Sequence, residues 1–451
     1  MPPQLSPRQP PQDSARRALR ATELRERVIC PHCWEPFRPE DILWVSEHTD
    51  LLGDPRLGAD FQQRFLPTRF NVAGEALDSK GFPCRSLACP RCHLVIPRPV
   101  LELDPLFLSI IGSPGSGKSF LLASMTWQLR QVLTPEFRVS FSDADPSFNR
   151  SLNEYEESLF LNARAEELQP LAGLIRKTEE QGELYDTVAF GNQTISYPRP
   201  FLFAVQPQKG HPNESQAEKL GRLVCLYDNA GESFQPGKDD VGSPVTRHMA
   251  HSRALYFVFD PTQDSRFRSH ISASAQAALS KQAGRSTRQE QVLQEAAARI
   301  RRYARLRQTE KHDRPLIVVV TKYDAWSNLL EELVGDTSHS EPWRTVPSAH
   351  NGFDINSLDL ARIEHYSQRL RLLMQKFCPD IVAAAENFAK EVIYMPSSAV
   401  GWATKFDQRS GLMSIRPSQT RPFWVTVPFL YALCRWAPGL IPAIRRKDAD
   451  A

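Results

Sequence analysis

The sequence lacks three features that would point to nucleic acid, secretion or a membrane. Its formal net charge is only +3 over 451 residues, so no strong field favours nucleic acid or a membrane surface. Residues 1–12 are rich in Pro and Gln and contain no apolar core, which indicates no signal peptide. The nearly apolar residues 422–444 are interrupted by Arg435 and prolines, so we expect a buried terminal helix there. We expect a cytoplasmic protein, because a reducing compartment fits the cysteine usage described below.

The composition is typical of a globular chain with more than one domain. Hydrophobic residues make up 41% and charged residues 24%, which are ordinary proportions. The length suits two or three domains. We predict a disordered basic segment at 1–28, a zinc-binding module at 29–99, an α/β domain with helical inserts at 100–440 and a tail at 441–451.

Five of the eight cysteines lie between positions 30 and 92. Without a secretory signal, this clustering indicates metal binding rather than disulfides. Four of them form two Cys-x-x-Cys pairs with Pro after the first Cys, which is typical of a knuckle that points two thiolates at one ion. We therefore predict a structural Zn²⁺ site held by Cys30, Cys33, Cys89 and Cys92. His93 would strain a shared tetrahedron and is left out. Cys84 stays an alternative ligand, and reduced, unliganded thiols are the other interpretation.

The long spacer between the two pairs has to fold back as an insert. Four thiolates close the coordination sphere of Zn²⁺, so the ion would be structural and would offset the ordering cost of a small module. The aromatic residues expected to form a core around this site are Trp34, Phe37, Trp44, Phe65, Phe70 and Phe82.

A glycine loop follows the first strongly apolar segment after the module. Residues 106–111 read as a strand, and an apolar-periodic helix starts near Phe120. The pattern Gly-x-x-x-x-Gly-Lys-Ser between them lets backbone N–H groups turn onto phosphates. Lys118 adds charge near the β- and γ-phosphates, and the Ser119 hydroxyl suits Mg²⁺. The predicted phosphate contacts are Gly112, Ser113, Pro114, Gly115, Ser116, Gly117, Lys118, Ser119 and Phe120.

A second apolar segment, residues 222–227, leads into Asp228-Asn229-Ala230-Gly231. An Asp at the carboxyl end of a strand beside the glycine loop is a suitable partner for phosphate-bound Mg²⁺. Gly231 has no side chain, so its N–H can approach the γ-phosphate. We predict that Asp228 and Gly231 belong to the phosphate site.

Two later segments point to guanine. The fully apolar residues 315–320 end in Thr321-Lys322-Tyr323-Asp324, as expected for a strand inside a parallel sheet. The Asp324 carboxylate can accept hydrogen bonds from the ring N–H and amine of guanine, a pair that adenine lacks, while the Lys322 stem covers the base. Residues 392–395 lead to Ser397-Ser398-Ala399, where a backbone N–H can reach guanine O6. We therefore assign Thr321, Lys322, Asp324, Ser398 and Ala399 to the base site.

The remaining segments carry predictions of secondary structure only. We expect a strand at 137–141, a long charged helix at 149–176 and an antiparallel pair formed by 187–190 and 201–205. Residues 265–312 read as mostly helical, and residues 357–377 as an amphipathic helix.

Residues 100–440 resemble the Ras-like, translation-factor-class P-loop GTPases, because the four segments occur in the order of that family's boxes. With its N-terminal zinc module and insert-rich domain, the chain also resembles the double-GTPase families of bacterial conflict systems. The resemblance implies a mainly parallel sheet flanked by helices, GTP or GDP as ligand, and Mg²⁺ held by Ser119 and Asp228. It also implies switch segments and a threonine that reaches Mg²⁺. We choose Thr178 for this role, with Thr187 and Thr194 as alternatives.

Three departures from the family pattern affect activity. Thr321 replaces the usual Asn, and its hydroxyl can partly take over the bridging role of the amide. Glu232 stands where Ras has a water-orienting Gln, which indicates slow turnover. Pro114 occupies a crowded loop position and would hinder an arginine finger from a partner. No intrinsic arginine finger can be assigned among Arg176, Arg247 and Arg253.

The sequence therefore predicts a GTP-binding switch or assembly protein with slow hydrolysis, in which Lys118, Thr178, Gly231 and Glu232 are the catalytic residues. A protein partner is expected, either a second GTPase or an effector, and a nucleotide-dependent dimer is compatible with this interpretation. One alternative is a pseudo-GTPase scaffold whose zinc module docks protein or nucleic acid. The other is an ATP-using P-loop enzyme, which Asp324 disfavours.

Overall fold

Two groups of strands organise the chain, a set of short antiparallel pairs near the N-terminus and a central seven-stranded sheet. The computed structural model describes residues 24–175, 185–228, 234, 246–271, 288–336, 338–346 and 354–444. Helices flank the central sheet, so the fold is α/β with a mixed sheet and a cysteine-rich N-terminal module, as predicted at that level.

The N-terminal module consists of ten strands, none longer than five residues. They are β1 (Val28–Ile29), β2 (Pro36–Phe37), β3 (Leu43–Val45), β4 (Leu52–Asp54), β5 (Gly58–Gln62), β6 (Arg64–Phe65), β7 (Ala76–Leu77), β8 (Pro83–Cys84), β9 (Leu87–Ala88) and β10 (Val95–Ile96). β10, β9, β3 and β6 form a four-stranded antiparallel sheet, and the others pair as β1–β2, β4–β5 and β7–β8.

The chain then enters the α/β region. Its first elements are α1 (Pro99–Glu102), β11 (Asp104–Gly112), α2 (Lys118–Phe137), β12 (Val139–Asp143), α3 (Arg150–Phe160), β13 (Gln169–Pro170), α4 (Leu171–Leu174), β14 (Tyr185–Phe190), β15 (Gln193–Pro198), β16 (Phe201–Pro207), α5 (Ala217–Leu220), β17 (Arg222–Asp228), α6 (His248–His251), β18 (Ala254–Phe259) and α7 (Ser265–Arg268).

The second half of the α/β region is richer in helix. It contains α8 (Gln289–Ala304), β19 (Leu316–Val320), α9 (Ser327–Val334), β20 (Trp343–Val346), β21 (Ile355–Leu358), α10 (Leu360–Phe377), α11 (Pro379–Phe388), β22 (Val392–Pro396), β23 (Lys405–Asp407), β24 (Leu412–Ile415) and α12 (Val427–Trp436).

The central sheet has the strand order β12-β16-β17-β11-β18-β19-β22. The five strands from β17 to β22 are parallel, and β16 runs antiparallel to both of its neighbours. Every residue of β18 and β19 is buried, because a parallel strand in the middle of a sheet is covered on both faces. Since parallel strands share one direction, their carboxyl ends lie along one edge of the sheet.

The two faces of β11 belong to different apolar cores. Leu106, Leu108 and Ile110 pack in the core formed with the helices, whereas Phe107 packs with the cysteine module. Side chains alternate between faces along a strand, so one apolar segment can serve both layers. The module therefore covers part of one face of the sheet and is not a separate appendage.

Two predictions about the inserts are wrong. The helix predicted at 149–176 ends at Phe160, and β13 and α4 follow it within the described residues. The segments 187–190 and 201–205 do not pair with each other. β14 instead pairs with β15 across the tight turn at Gly191 and Asn192, and β16 joins the central sheet. The two-residue loop closes a local hairpin, which outcompetes the more distant pairing.

The predicted aromatic core of the module is only partly correct. Trp34 and Phe37 are buried beside the cysteines, but Phe70 and Phe82 are 55% and 49% exposed. The apolar residues of the central sheet take the place that these side chains were expected to fill.

The C-terminal apolar segment forms α12, whose first seven residues are buried, so the predicted buried terminal helix is confirmed. Among the residues that the structure describes, none of the helices has both the length and the apolar character needed to cross a membrane.

Candidate functional site

The glycine loop connects β11 to α2 at the centre of the sheet. Gly112 ends β11, and an added Cβ there would lie 2.8 Å from the carbonyl oxygen of Val258, so no side chain fits. Gly115 and Gly117 have φ angles of 72° and 94°, the left-handed region that favours glycine. The glycines thus allow the loop to turn tightly between the strand and the helix N-terminus.

Lys118 folds back over this loop. Its Nζ lies 3.0 Å from the carbonyl oxygen of Gly112 and 3.1 Å from that of Ser113, and the residue is 7% exposed. An ammonium group held at the loop mouth supplies positive charge beside the N-terminus of α2, where the helix dipole also favours anions. The loop therefore places one ammonium group next to a helix N-terminus.

We call the ends of the parallel strands the carboxyl edge, defined by residues 112–119, 228, 321–324 and 397–399. Asp228 is the last residue of β17, lies in register with Ile110 of β11, and is 4% exposed. Gly112 lies in register with Val258 of β18 on the other side. β19 and β22 continue the edge toward Thr321 and Ser397. The described residues of the four predicted segments, with Asp228 standing for the second, therefore lie along this edge.

Thr321 joins the third segment to the glycine loop. Its Oγ1 lies 3.0 Å from the carbonyl oxygen of Ser116 and 3.1 Å from that of Phe259. The hydroxyl has one proton, which these two carbonyls share. The Thr321 hydroxyl therefore connects the end of β19 with the glycine loop.

Two hydroxyl groups hold the Asp324 carboxylate, one on each oxygen. Ser398 Oγ donates to Oδ1 at 2.5 Å, and Thr404 Oγ1 donates to Oδ2 at 3.0 Å. Burial raises the pKa of Asp324, and the two hydroxyls oppose that rise. A carboxylate has about four lone-pair sites, so both oxygens retain acceptor capacity for a ligand. The carboxylate is oriented and still able to bind donors.

Ala399 is anchored to α2, since its carbonyl oxygen accepts a hydrogen bond of 2.7 Å from Ser124. The Lys322 backbone has a φ of 55°, and its Nζ pairs at 2.5 Å with Asp260, whose side chain is fully buried. The ammonium head is therefore fixed by an ion pair, which leaves the aliphatic stem as the part of Lys322 that can cover a base.

Sequence reasoning missed three residues at this edge. Gln289, the first residue of α8, accepts hydrogen bonds from Ser113 Oγ at 3.3 Å and from the Asp260 N–H at 2.9 Å. Its Nε2 donates to the Asp260 carbonyl at 2.7 Å. Thr404 contacts Asp324, and Asp260 contacts Lys322. The position of Asp260 at a strand end was a usable signal, whereas Gln289 and Thr404 stand in stretches without a recognisable pattern.

The other predicted residues are the candidates for the Mg²⁺-binding threonine, for catalysis and for an arginine finger. Thr178, Gly231, Glu232 and Arg176 lie outside the described residues. The alternatives Thr187 and Thr194 are exposed on the β14–β15 hairpin. Arg247 lies 3.8 Å from Glu35 of the cysteine module. Arg247 therefore pairs with a residue of the module.

The four cysteines of the two Cys-x-x-Cys pairs form a buried cluster. All four Sγ atoms lie within 4.8 Å of one another, and the Cys30–Cys92 and Cys33–Cys89 Sγ distances are both 3.8 Å. In a tetrahedron with metal–sulfur bonds of about 2.3 Å, the sulfurs stand about 3.8 Å apart. Two of the Sγ–Sγ distances match this spacing, so the cluster suits a tetrahedral metal ion.

The two pairs have the same backbone geometry. The N–H groups of His32 and Arg91 point at Cys30 Sγ and Cys89 Sγ, each at 3.4 Å. The residues that follow the second cysteines, Trp34 and His93, have φ angles of 59° and 62°. Burial raises the pKa of Cys30 and Cys92, so a bound cation is needed to keep all four as thiolates.

Neither of the spare ligands joins the cluster. His93 Nδ1 lies 2.8 Å from Asp54, and Cys84 is outside the group of four. The prediction of Cys30, Cys33, Cys89 and Cys92 as one ligand set agrees with this geometry, and the alternative with Cys84 does not.

No family model matches this chain. The chain is 23% identical over 259 residues to a Mycolicibacterium smegmatis protein, SaeC, whose name refers to ESX-1 scaffolding and assembly. This match covers 54% of the chain and 59% of that protein, so the chain spans about three fifths of the relative's length. It is also similar to a crystal structure of a Thermus thermophilus protein at 12% identity, with a TM-score of 0.24 over 75% of this chain and 40% of that one. A score this low carries no argument about the fold.

Proposed function

We propose that this chain is a P-loop GTPase-class protein that binds GTP or GDP with Mg²⁺ at the carboxyl edge, hydrolyses GTP slowly, and carries a structural Zn²⁺ in the four-cysteine cluster. The observation that carries the proposal is the convergence of four sequence segments, spread from Gly112 to Ala399, on one edge of the sheet. Two cross-links support it further: Thr321 bonds the glycine loop, and Ser398 orients Asp324.

The proposed chemistry is in-line attack of water on the γ-phosphate. Ser119 and Asp228 would hold Mg²⁺, which supplies charge neutralisation between the phosphates when bound. Lys118 and the amides of the glycine loop would stabilise the transition state, together with the Gly231 N–H. Thr178 and Glu232 are proposed to position or activate the water. We expect slow turnover because Glu232 carries a carboxylate at the position where a neutral amide would orient the attacking water.

The base is the first point to test. We expect purified protein to bind mant-GDP at least about tenfold more tightly than mant-ADP, because only guanine offers two N–H donors to Asp324. Asp324→Asn should weaken mant-GDP binding about 100-fold and favour xanthosine nucleotide instead, since two charge-assisted hydrogen bonds are lost. Asp313→Asn is the matched control, because this exposed residue precedes the opposite end of β19. Tighter binding of mant-ADP would replace the proposal with an ATP-using enzyme.

A second candidate function is a scaffold that has lost hydrolysis. Its support is the name of the M. smegmatis relative, which refers to scaffolding and assembly, and the presence of Glu232 and Pro114 in this sequence. Single-turnover hydrolysis with micromolar enzyme and Mg²⁺ separates the two functions. Slow phosphate release above buffer supports the GTPase, whereas nucleotide binding without release, even with a partner, supports the scaffold.

The cellular setting follows from the same chemistry. Reduced, metal-held cysteines and a nucleotide ligand suit the cytoplasm, where we propose that the protein works. A protein partner, either a second GTPase or an effector, is proposed from the resemblance to double-GTPase conflict systems and from the scaffolding name of the relative. Pull-down from the native organism with GTP-analogue and GDP states compared would identify it.

A further inference from the structure

Two neighbouring residues of β17 connect the cysteine module to the proposed Mg²⁺ site. Tyr227 contacts the first knuckle of the four-cysteine cluster, and Asp228 is the proposed Mg²⁺ ligand. Tyr227 is fully buried and immediately precedes Asp228. Side chains alternate along a strand, and Tyr227 packs with the module while Leu226 packs in the helical core. Consecutive Cα atoms are only about 3.8 Å apart, so a shift of Tyr227 moves the Asp228 backbone with it.

The Tyr227 hydroxyl is bonded to the first metal knuckle at two points. It donates to the carbonyl oxygen of Pro31 and accepts a hydrogen bond of 3.1 Å from Trp34 Nε1. Pro31 follows Cys30, and Trp34 follows Cys33, so both partners are adjacent in sequence to ligands of the cluster. A bound metal would further constrain this knuckle, because it would hold the two thiolates at fixed distances and angles.

A second contact connects the same tyrosine to the strand of the glycine loop. The ring of His248 stacks on Tyr227 at 4.4 Å between centroids, with 20° between the planes. His248 Nδ1 shares a hydrogen bond of 2.6 Å with Ser109 Oγ, and Ser109 lies in β11 three residues before Gly112. Tyr227 therefore contacts the knuckle and precedes Asp228 on the same strand. The imidazole of His248 also connects Tyr227 to Ser109 of β11.

The side chains of this interface are buried together. Tyr227, His248 and Ser109 are all 0% exposed, and Trp34 is 3% exposed. Trp34 also stacks on His251 at 6.1 Å with 14° between the planes. Closely packed interiors transmit displacements instead of damping them.

We propose that Tyr227 is a positioning residue that couples the metal state of the four-cysteine cluster to the placement of Asp228, and so to Mg²⁺ binding at the carboxyl edge. This inference rests on the proposed function. It assigns the module a role inside the chain, as the support of the nucleotide site, in addition to any surface that it offers a partner.

The first test compares Tyr227→Phe with Tyr256→Phe. Tyr256 is an equally buried tyrosine on β18 of the same sheet, but its hydroxyl bonds Pro428 of α12 and lies in the helical core. We expect Tyr227→Phe to keep one metal per chain and its fold, while the Mg²⁺ concentration for half-maximal mant-GMPPNP binding rises about fivefold and affinity at saturating Mg²⁺ changes little. Tyr256→Phe should leave the Mg²⁺ midpoint unchanged. Equal midpoints in Tyr227→Phe and wild type would overturn the proposal.

The second test uses wild-type protein and needs no variant to fold. Coupling free energies are reciprocal, so nucleotide binding must act back on the cluster. With Co²⁺ in the four-cysteine cluster, addition of Mg²⁺ and GMPPNP should shift the visible absorption of the cobalt–thiolate chromophore, and Mg²⁺ alone should not. An unchanged spectrum with nucleotide bound would contradict the coupling while the proposed function stands. Failure of wild type to bind GMPPNP at all would overturn the proposed function and the coupling together.

Discussion

The carboxyl edge and the four-cysteine cluster bring distant residues together in different ways. At the edge, each residue stands at or just after the end of a different strand, and only the register of the parallel strands brings Gly112, Asp228 and Thr321 to the same edge of the sheet. In the cluster, two short knuckles with the same backbone geometry each fix two sulfurs, and only their docking is long-range. The edge combines polar groups of several kinds at strand ends, whereas the cluster consists of four thiols grouped around one point.

These two constructions make the sites vulnerable to different changes. A closed thiolate cluster contributes binding free energy directly to folding, so its loss affects the whole module. Under the proposed function, the carboxyl edge contributes mainly ligand binding, so we expect its side chains to be changed with less effect on the fold. The following four predictions test this contrast, beginning with the largest effect.

Cys89→Ser should lose the bound metal and destabilise the module by more than about 3 kcal/mol, because structural Zn²⁺ sites supply about 10 kcal/mol or more of folding free energy. Elemental analysis and urea unfolding measure the two effects. Cys434→Ser is the control, since this partly exposed thiol lies in α12 outside the cluster. A metal-free Cys89→Ser protein with wild-type stability would contradict the contrast.

Lys118→Ala should weaken mant-GDP binding about 100-fold, since an ammonium group loses its hydrogen bonds to phosphate. The fold should survive, because Lys118 Nζ bonds carbonyl oxygens of the loop itself, those of Gly112 and Ser113. Fluorescence titration and a thermal melt give both readouts. Lys405→Ala, at an exposed lysine of β23, should bind like wild type; similar losses in both variants would mean that Lys118 has no special role.

Ser398→Ala should weaken mant-GDP binding about tenfold, because Asp324 loses one of the two hydroxyls that orient it. The neighbouring Ser397→Ala is a stringent control, since its buried hydroxyl bonds Phe423 at 3.4 Å and not Asp324. Comparing GDP with IDP, which lacks the exocyclic amine, shows whether base selection itself declines. Unchanged GDP-to-IDP selectivity would indicate that Asp324 is oriented without Ser398.

The contact between module and sheet should weaken in mild acid. Burial lowers the pKa of His248 to about 3, so below the ordinary His value of about 6.5 the unfolded chain binds a proton that the folded chain does not. Stability then falls with decreasing pH, by about 1.4 kcal/mol between pH 7.5 and 5.5 for this one residue. Burial also lowers the pKa of His251 and His32 nearby, which adds in the same direction.

Urea midpoints at both pH values measure this effect. The difference between the midpoints should shrink in His248→Gln and persist in His365→Gln, a substitution at an exposed position of α10. If both variants keep the wild-type pH dependence, His248 is not the group that senses acid.

Much of this architecture follows from local pattern, with limits that have a clear cause. The central strands at 254–259 and 316–320 coincide with apolar runs, because burial on both faces requires apolar residues throughout. The edge strand at 392–396, which is only partly buried, also coincides with its apolar run. The apolar pattern does not determine which strand pairs with which. Residues 187–190 are β-rich in either pairing, and only the turn at Gly191 and Asn192 selects the local hairpin.

Residue types and short spacings in the sequence already specify the functional groups of both sites. These are two knuckles with four thiols, a glycine loop with Lys118, and the carboxylates of Asp228 and Asp324. All of these are local properties of the chain. The tertiary structure alone decides which of these groups form hydrogen bonds with one another. Gln289 reaches Ser113, Thr404 reaches Asp324, and Tyr227 bonds the knuckle beside Asp228. Each contact joins residues far apart in sequence, and their proximity is fixed by strand register and by the docking of the module on the sheet, neither of which leaves a local pattern.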